Sequence, residues 1–269
     1  MLIGAGDIAL CGDPPEYKAD DRTADMIEQL LTEHPQAGIF IAGDVVQGEG
    51  RAVEYQNCFG PTWGRFIDRI RPVPGNHDYM TDSAGPYYAY FGEAAGPAGL
   101  GYYSYDLGDW HIVAINSNCN DIACGPNSAQ VAWLREDLLN NDKKCTLAYW
   151  HHPRFSSGLA GGSGVMNPIW RTAVELGVDV VVSGHDHNYE RFAPMNAEGE
   201  ADPQGTRMFV SGTGGALLRV LGTPQPNSEV RYEGTHGVMR FILHPDRYEW
   251  SFLPLDDPAA ADQGSDPCR

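Results

Sequence analysis

The chain has 269 residues, 42% of them hydrophobic and 20% charged, enough apolar material to bury a core as one large α/β domain spanning 1–269. Its 18 Lys+Arg stand against 36 Asp+Glu, a formal charge of −18. Such a surface repels nucleic-acid backbones and anionic membranes, which excludes those partners but not a small phosphorylated substrate. No apolar stretch reaches the length of a membrane span.

In chain order, residues 2–5 read as a buried strand that ends in Gly6-Asp7. A strand opening at residue 2 leads to the expectation of a chain trimmed of a leader, with Met1 added. Residues 19–34 carry Ile27, Leu30 and Leu31 on one helical face, and residues 39–42 form a second apolar run that ends in Gly43-Asp44. A shorter helix is expected over 63–70. The weak strand 71–74 follows it and leads into Gly75-Asn76-His77-Asp78. The aromatic run 87–91 suits core packing. Strands over 102–107 and 110–116 are split by the turn pair Gly108-Asp109.

Ser128 caps an expected helix through Val131, Leu134, Leu138 and Leu139. The run 147–150 ends in His151-His152-Pro153, and a second expected helix has Asn167 as its cap and Pro168 as its first residue. Residues 178–183 run into Gly184-His185-Asp186-His187. Late antiparallel strands are expected over 207–211, 238–243 and 248–253, and a frayed tail from about 257. Strands alternating with helices imply a largely parallel arrangement.

Five strand ends thus carry Asp, Asp, Asn-His, His and His-x-His, and four of the five place a glycine before them. In open α/β sheets ligands bind beyond the carboxyl ends of strands, so these side chains can converge. Oxygen and imidazole donors without thiolate suit Zn, Fe or Mn. An Asp has two oxygens and can bridge two cations about 3.5–4 Å apart, which clamp a phosphoryl group. The six cysteines form no CxxC pattern; their even number favours disulfides and an extracytoplasmic or secreted location, with Cys119 and Cys124 the most plausible pair.

At this point the sequence resembles the calcineurin-like metallophosphoesterases, and within them the purple acid phosphatase-like branch. The residues 184–191, Gly-His-Asp-His-Asn-Tyr-Glu-Arg, look like that branch's Gly-His-x-His-x-Tyr-Glu-Arg block. Trp110-His111-Ile112-Val113, with Gln130 and Trp133-Leu134 after it, is also similar, and the likeness runs over roughly residues 2 to 215. The resemblance implies a four-layer α-β-β-α sandwich of two mixed sheets flanked by helices. It implies a first metal on Asp7, Asp44 and His187, and a second on Asp44, Asn76, His151 and His185. Asn76 and His77 would also meet the substrate, His77 would stabilise charge or protonate the leaving oxygen, Asp78 would orient the His77 ring, and His152 is a substrate-side candidate. The reaction implied is hydrolysis of phosphate monoesters by a hydroxide held on the two metal ions.

Two departures stand out. Ala9 and Gln47 occupy the positions where the family supplies a fourth ligand to the first metal, as histidine or tyrosine. Gln47 is therefore a further candidate ligand through its amide oxygen, and a protein without that tyrosinate is expected to be colourless. Two other functions keep the same scaffold: a phosphodiesterase acting on nucleotides or glycerophosphodiesters, and a metal-poor binding protein.

Overall fold

The structure is a computed structural model and describes residues 1–12 and 19–269. Its strands are β1 (Leu2–Ala5), β2 (Gly38–Ala42), β3 (Ile70–Val73), β4 (Tyr103–Leu107), β5 (Trp110–Ala114), β6 (Cys145–Trp150) and β7 (Val180–Ser183). They continue with β8 (Tyr189–Phe192), β9 (Arg207–Ser211), β10 (Ser228–Tyr232), β11 (Gly237–Leu243), β12 (Arg247–Pro254) and β13 (Asp262–Pro267). The α-helices among the described residues are α1 (Asp20–Glu33), α2 (Ala52–Glu54), α3 (Gly85–Phe91), α4 (Ala129–Asn140) and α5 (Asn167–Glu175).

The strands form two mixed sheets, ordered β13-β12-β11-β1-β2-β3 and β10-β8-β9-β7-β6-β5-β4. Strands β1, β2 and β3 are parallel in the first, and β5, β6, β7 and β9 in the second. Alternation along each strand decides the layers. In β2, Ile39 and Ile41 pack outward with Ile27 and Leu30 of α1, while Phe40 and Ala42 pack inward with Ile112, Leu147 and Val182 of the second sheet. On the far side, Val113, Ala148 and Val181 meet Leu134 of α4 and Trp170 of α5. The result is the expected α-β-β-α sandwich. Its apolar strands are buried on both faces, as parallel strands require.

Ser128 caps α4 as expected, accepting from the Val131 N–H at 3.2 Å. Asn167 is not a cap. It is the first residue of α5, behind Met166, because a turn of 3-10 helix over Gly164–Met166 already starts the winding. The tail is not frayed either. β13 pairs antiparallel with β12 from Asp262 to Pro267, and Cys268 is bonded to Cys145 at the start of β6. The other disulfides are Cys119–Cys124, the expected pair, and Cys11–Cys58.

Candidate metal centre

The parallel strands β1, β2 and β3 all end on the edge that faces the ends of β6 and β7. Beyond β1 and β2 the chain stays zipped: Asp7, Ile8 and Ala9 donate their N–H groups to Gly43, Asp44 and Val45 carbonyls at 3.0, 3.0 and 3.1 Å. This holds Asp7 and Asp44 side by side, both in the left-handed region, with φ of 61° and 49°. Such a conformation is uncommon for residues other than glycine and marks a site where the fold insists on side-chain direction. Gly75 lets the loop after β3 close on this pair, since a Cβ there would lie 2.0 Å from Asp44 Oδ1. Gly43 does the same toward the second sheet, where a Cβ would meet the His151 ring at 2.5 Å.

The six residues expected as ligands come together. His187 Nε2 lies 3.1 Å from Asp7 Oδ1, and the His185 N–H donates to Asp7 Oδ2 at 2.7 Å. His151 Nε2 lies 3.3 Å from Asp44 Oδ2, 3.1 Å from Asn76 Oδ1 and 3.2 Å from His185 Nδ1. Gln47 donates Nε2 to Asp7 Oδ1 at 3.0 Å and to Asp44 Oδ2 at 3.4 Å, so its amide spans the pair; a half-turn of the amide would present Oε1 instead. Asp7, Asp44, His151 and His187 are buried.

Ring tautomers make the arrangement informative. His151 Nδ1 is 2.9 Å from the Ala42 carbonyl and His187 Nδ1 is 2.6 Å from the Leu217 carbonyl. A carbonyl only accepts, so each Nδ1 carries the proton and each Nε2 of the neutral ring is a lone pair. Those lone pairs face Asp44 Oδ2, Asn76 Oδ1 and Asp7 Oδ1, which also only accept. Buried acceptors facing one another repel unless a proton or a cation lies between them. A histidine whose far nitrogen is tied to a carbonyl is the arrangement that aims a metal ligand. The donor set of carboxylate, amide oxygen and imidazole fits hard-to-borderline cations.

Without a cation, the carboxylates favour a proton in the place between these acceptors. Burial raises the Asp7 and Asp44 carboxyls, but the neighbouring histidines outweigh it and hold both below their ordinary values. Burial lowers His151, yet Asp44 and Asp7 push it up to about 9; His187 is likewise raised by Asp7 against burial. His185 falls to about 4 and His152 to about 3, through burial and then the facing imidazoles.

His77 stands at the rim. Its N–H donates to Asp44 Oδ1 at 2.8 Å, its Nδ1 is 2.7 Å from the Gly48 carbonyl, and its Nε2 lies 3.9 Å from Asp44 Oδ2. The Gly48 carbonyl therefore orients the ring, and Asp78 does not. The buried Asp78 carboxylate accepts instead from Tyr55 Oη at 2.6 Å, Gly75 N at 2.8 Å and Val45 N at 3.2 Å. Burial and the nearby Asp44 push it up to about 7. It clamps the loops after β2 and β3 together.

His152 turns its ring toward His185, with centroids 4.6 Å apart, and is pinned by Ser117. The Ser117 Oγ accepts the His152 N–H at 2.9 Å and lies 2.9 Å from its Nδ1. A cleft of about 460 Å³ opens here and shares Asn76 and His152 with the cluster. Behind the His-x-His turn, Asp186 accepts from Ser156 Oγ, Ala160 N and Gly161 N, and Glu190 from Ser157 and Ser228, fixing the 156–161 loop. Sequence reading missed Ser117 and the Gly48 and Leu217 carbonyls. A backbone carbonyl leaves no residue-type signal; only Ser117, just after an apolar strand, could have been noticed.

The family profile of the calcineurin-like phosphoesterases matches residues 6–189, and the chain belongs to that family. Within it, similarity runs to the purple acid phosphatases. Purple acid phosphatase 21 of Arabidopsis thaliana is 33% identical over 167 residues, covering 58% of this chain and 37% of that protein. Purple acid phosphatase 15 of the same plant is 27% identical over 248 residues, covering 78% and 45%. The chain thus spans less than half the length of either relative. A purple acid phosphatase from yellow lupin (Lupinus luteus) seeds shares the fold, with a TM-score of 0.79 at 15% identity over 98% of this chain and 53% of that one.

Proposed function

We propose that the chain is a metal-dependent phosphatase that hydrolyses small phosphate monoesters at a two-cation centre. Asp7, Asp44 and His187 would hold one cation, with Gln47 beside it, and Asp44, Asn76, His151 and His185 the other. The observation that carries this reading is that His151 Nε2 and His187 Nε2, each on a ring whose Nδ1 is tied to a carbonyl, face carboxylate and amide oxygens across a gap that a proton or a cation must fill. Two cations bound there would supply charge to a phosphoryl group and lower the pKa of a water.

The chain's own residues do the rest. Asn76 lies at the junction of cluster and cleft, where it would reach both a cation and the ester. His77 has its Nδ1 proton committed to Gly48, so Nε2 is the atom that exchanges a proton with the leaving oxygen. His152, pinned by Ser117, borders the leaving-group side. Three disulfides support an oxidising, extracytoplasmic compartment. Among the described residues no helix is long and apolar enough to cross a membrane.

The test is a chelated protein titrated with Zn, Mn, Fe and Mg. Bound equivalents are counted alongside turnover of p-nitrophenyl phosphate and its bis-ester. Two equivalents with faster monoester turnover are expected, and one equivalent or none without turnover would sink the proposal in favour of a binding protein. His77→Ala should lower kcat by about 10²–10⁴ with metal content retained. Asp44→Ala should lose metal and activity together.

A further inference from the structure

We infer that the cleft beside the centre accepts the alcohol part of a monoester when that part is uncharged and hydroxyl-rich, and disfavours anionic alcohols. This rests on the monoesterase reading above. Apart from Asn76 and His152, its polar lining is Tyr79, Ser117, Asn118, Asn120, Ser163 and Asp121. Five of these are neutral hydrogen-bonding groups and the sixth is an anion. Among the described residues, no Lys or Arg lines the cleft.

The walls are held in place before any ligand arrives. Tyr79 Oη accepts from Asn116 Nδ2 at 2.9 Å and lies 3.2 Å from Tyr88 Oη. Asn118 donates Nδ2 to the Pro74 carbonyl and to Asn116 Oδ1, each at 3.0 Å. The loop beyond it is tightened by the Cys119–Cys124 disulfide and by Asp121 N and Ile122 N, both donating to Asn118 O at 2.9 Å. That turn presents Asn120 and Asp121 at the mouth, both exposed. The side chains of Asn120, Asp121 and Ser163 make no hydrogen bond among the described residues, so a ligand can use them.

A volume of about 460 Å³ falls in the range of small-ligand clefts, ~300–1,000 Å³. Hydroxyl groups find donors and acceptors on several sides. A carboxylate or second phosphate would give up hydration without gaining a cation, next to the negative Asp121. The chain's net charge of −18 adds to the same preference.

Glycerol 3-phosphate and 3-phosphoglycerate test this directly. They share size and scissile bond and differ by a hydroxymethyl group against a carboxylate. With protein loaded with the metal that best supports p-nitrophenyl phosphate turnover, kcat/KM should favour glycerol 3-phosphate by about tenfold. Asp121→Lys should reduce that preference by about tenfold. Asp109→Lys makes the same charge change on the β4–β5 turn, at the opposite end of the parallel strands, and should leave the ratio unmoved. Equal rates on the two esters, preference for 3-phosphoglycerate, or equal shifts in both variants would overturn the inference. Absence of p-nitrophenyl phosphate turnover with every metal would instead overturn the monoesterase reading, and the cleft's role with it.

Discussion

Gln47 shows how much one amide can reveal. It lies between Asp7 and Asp44, donating to both carboxylates, where a charged side chain would behave quite differently. Gln47→Glu would place a third carboxylate against the first two. Without cations, like charges destabilise it; with cations, the extra ligand is rewarded. Melting curves with chelator and with added Zn should therefore show a lower Tm than wild type in the first case and a larger metal-induced rise in the second. Equal rises in both proteins would place position 47 out of reach of the cations. His111 is a second telling residue, remote from the centre. Its Nδ1 is 3.0 Å from Asp106 Oδ1 and its Nε2 2.9 Å from Asp137 Oδ2. Burial opposes its charge, but the two carboxylates prevail and raise its pKa above 6.5. A raised histidine contributes stability that is full below its unfolded value and is lost as pH rises through the folded value. The stability gap between wild type and His111→Gln, measured by urea unfolding from pH 5.5 to 9, should be widest at the acid end and close as pH rises. A gap constant with pH would mean that those carboxylates do not hold the proton.

Among the elements, those with a periodic apolar pattern were legible from sequence, and those held by distant polar partners were not. The runs ending in Asp7, Asp44, His151 and His185 are buried on two faces, so their composition announces them, and the glycines before three of them announce the turn. β13 has no such pattern: its Asp-Gln-Gly-Ser-Asp-Pro sequence reads as tail. What holds it comes from elsewhere. Asp262 accepts from Tyr189 Oη at 2.6 Å and Arg191 Nε at 2.7 Å, and Asp266 accepts from Arg207 Nε at 2.6 Å. Those donors belong to β8 and β9 in the other sheet, so β13 ties the two sheets together at their rim. The convergence of the six candidate ligands was legible, but the partners of Asp78 were not, because adjacency in sequence says nothing about which way two neighbouring side chains point. The Cys145–Cys268 bond closes 123 residues of chain at the same place. Replacing both cysteines by serine should cost about 2–5 kcal/mol of unfolding free energy in urea. No loss would mean that the ion pairs alone suffice to seat β13.

At the scale of the molecule, the centre belongs to neither sheet. Asp7, Asp44 and Asn76 come from the ends of β1, β2 and β3, and His151, His185 and His187 from the ends of β6 and β7. The inward-facing core of Leu2, Phe40, Leu147, Val182 and Phe209 sets the distance between those two groups. Gly6 and Gly184 meet where the sheets touch: a Cβ on Gly6 would lie 3.0 Å from Gly184 Cα. The geometry of the site is therefore a property of how the sheets pack, which no single motif encodes.

β11 pairs directly with β1, and β12 and β13 extend the sheet beyond it. During synthesis, all six proposed ligands are made some fifty residues before the strand that backs Asp7. A released chain that ends at residue 215 should therefore retain far less radioactive zinc than one that ends at residue 269. Comparable retention by both would show that loading does not wait for the late strands.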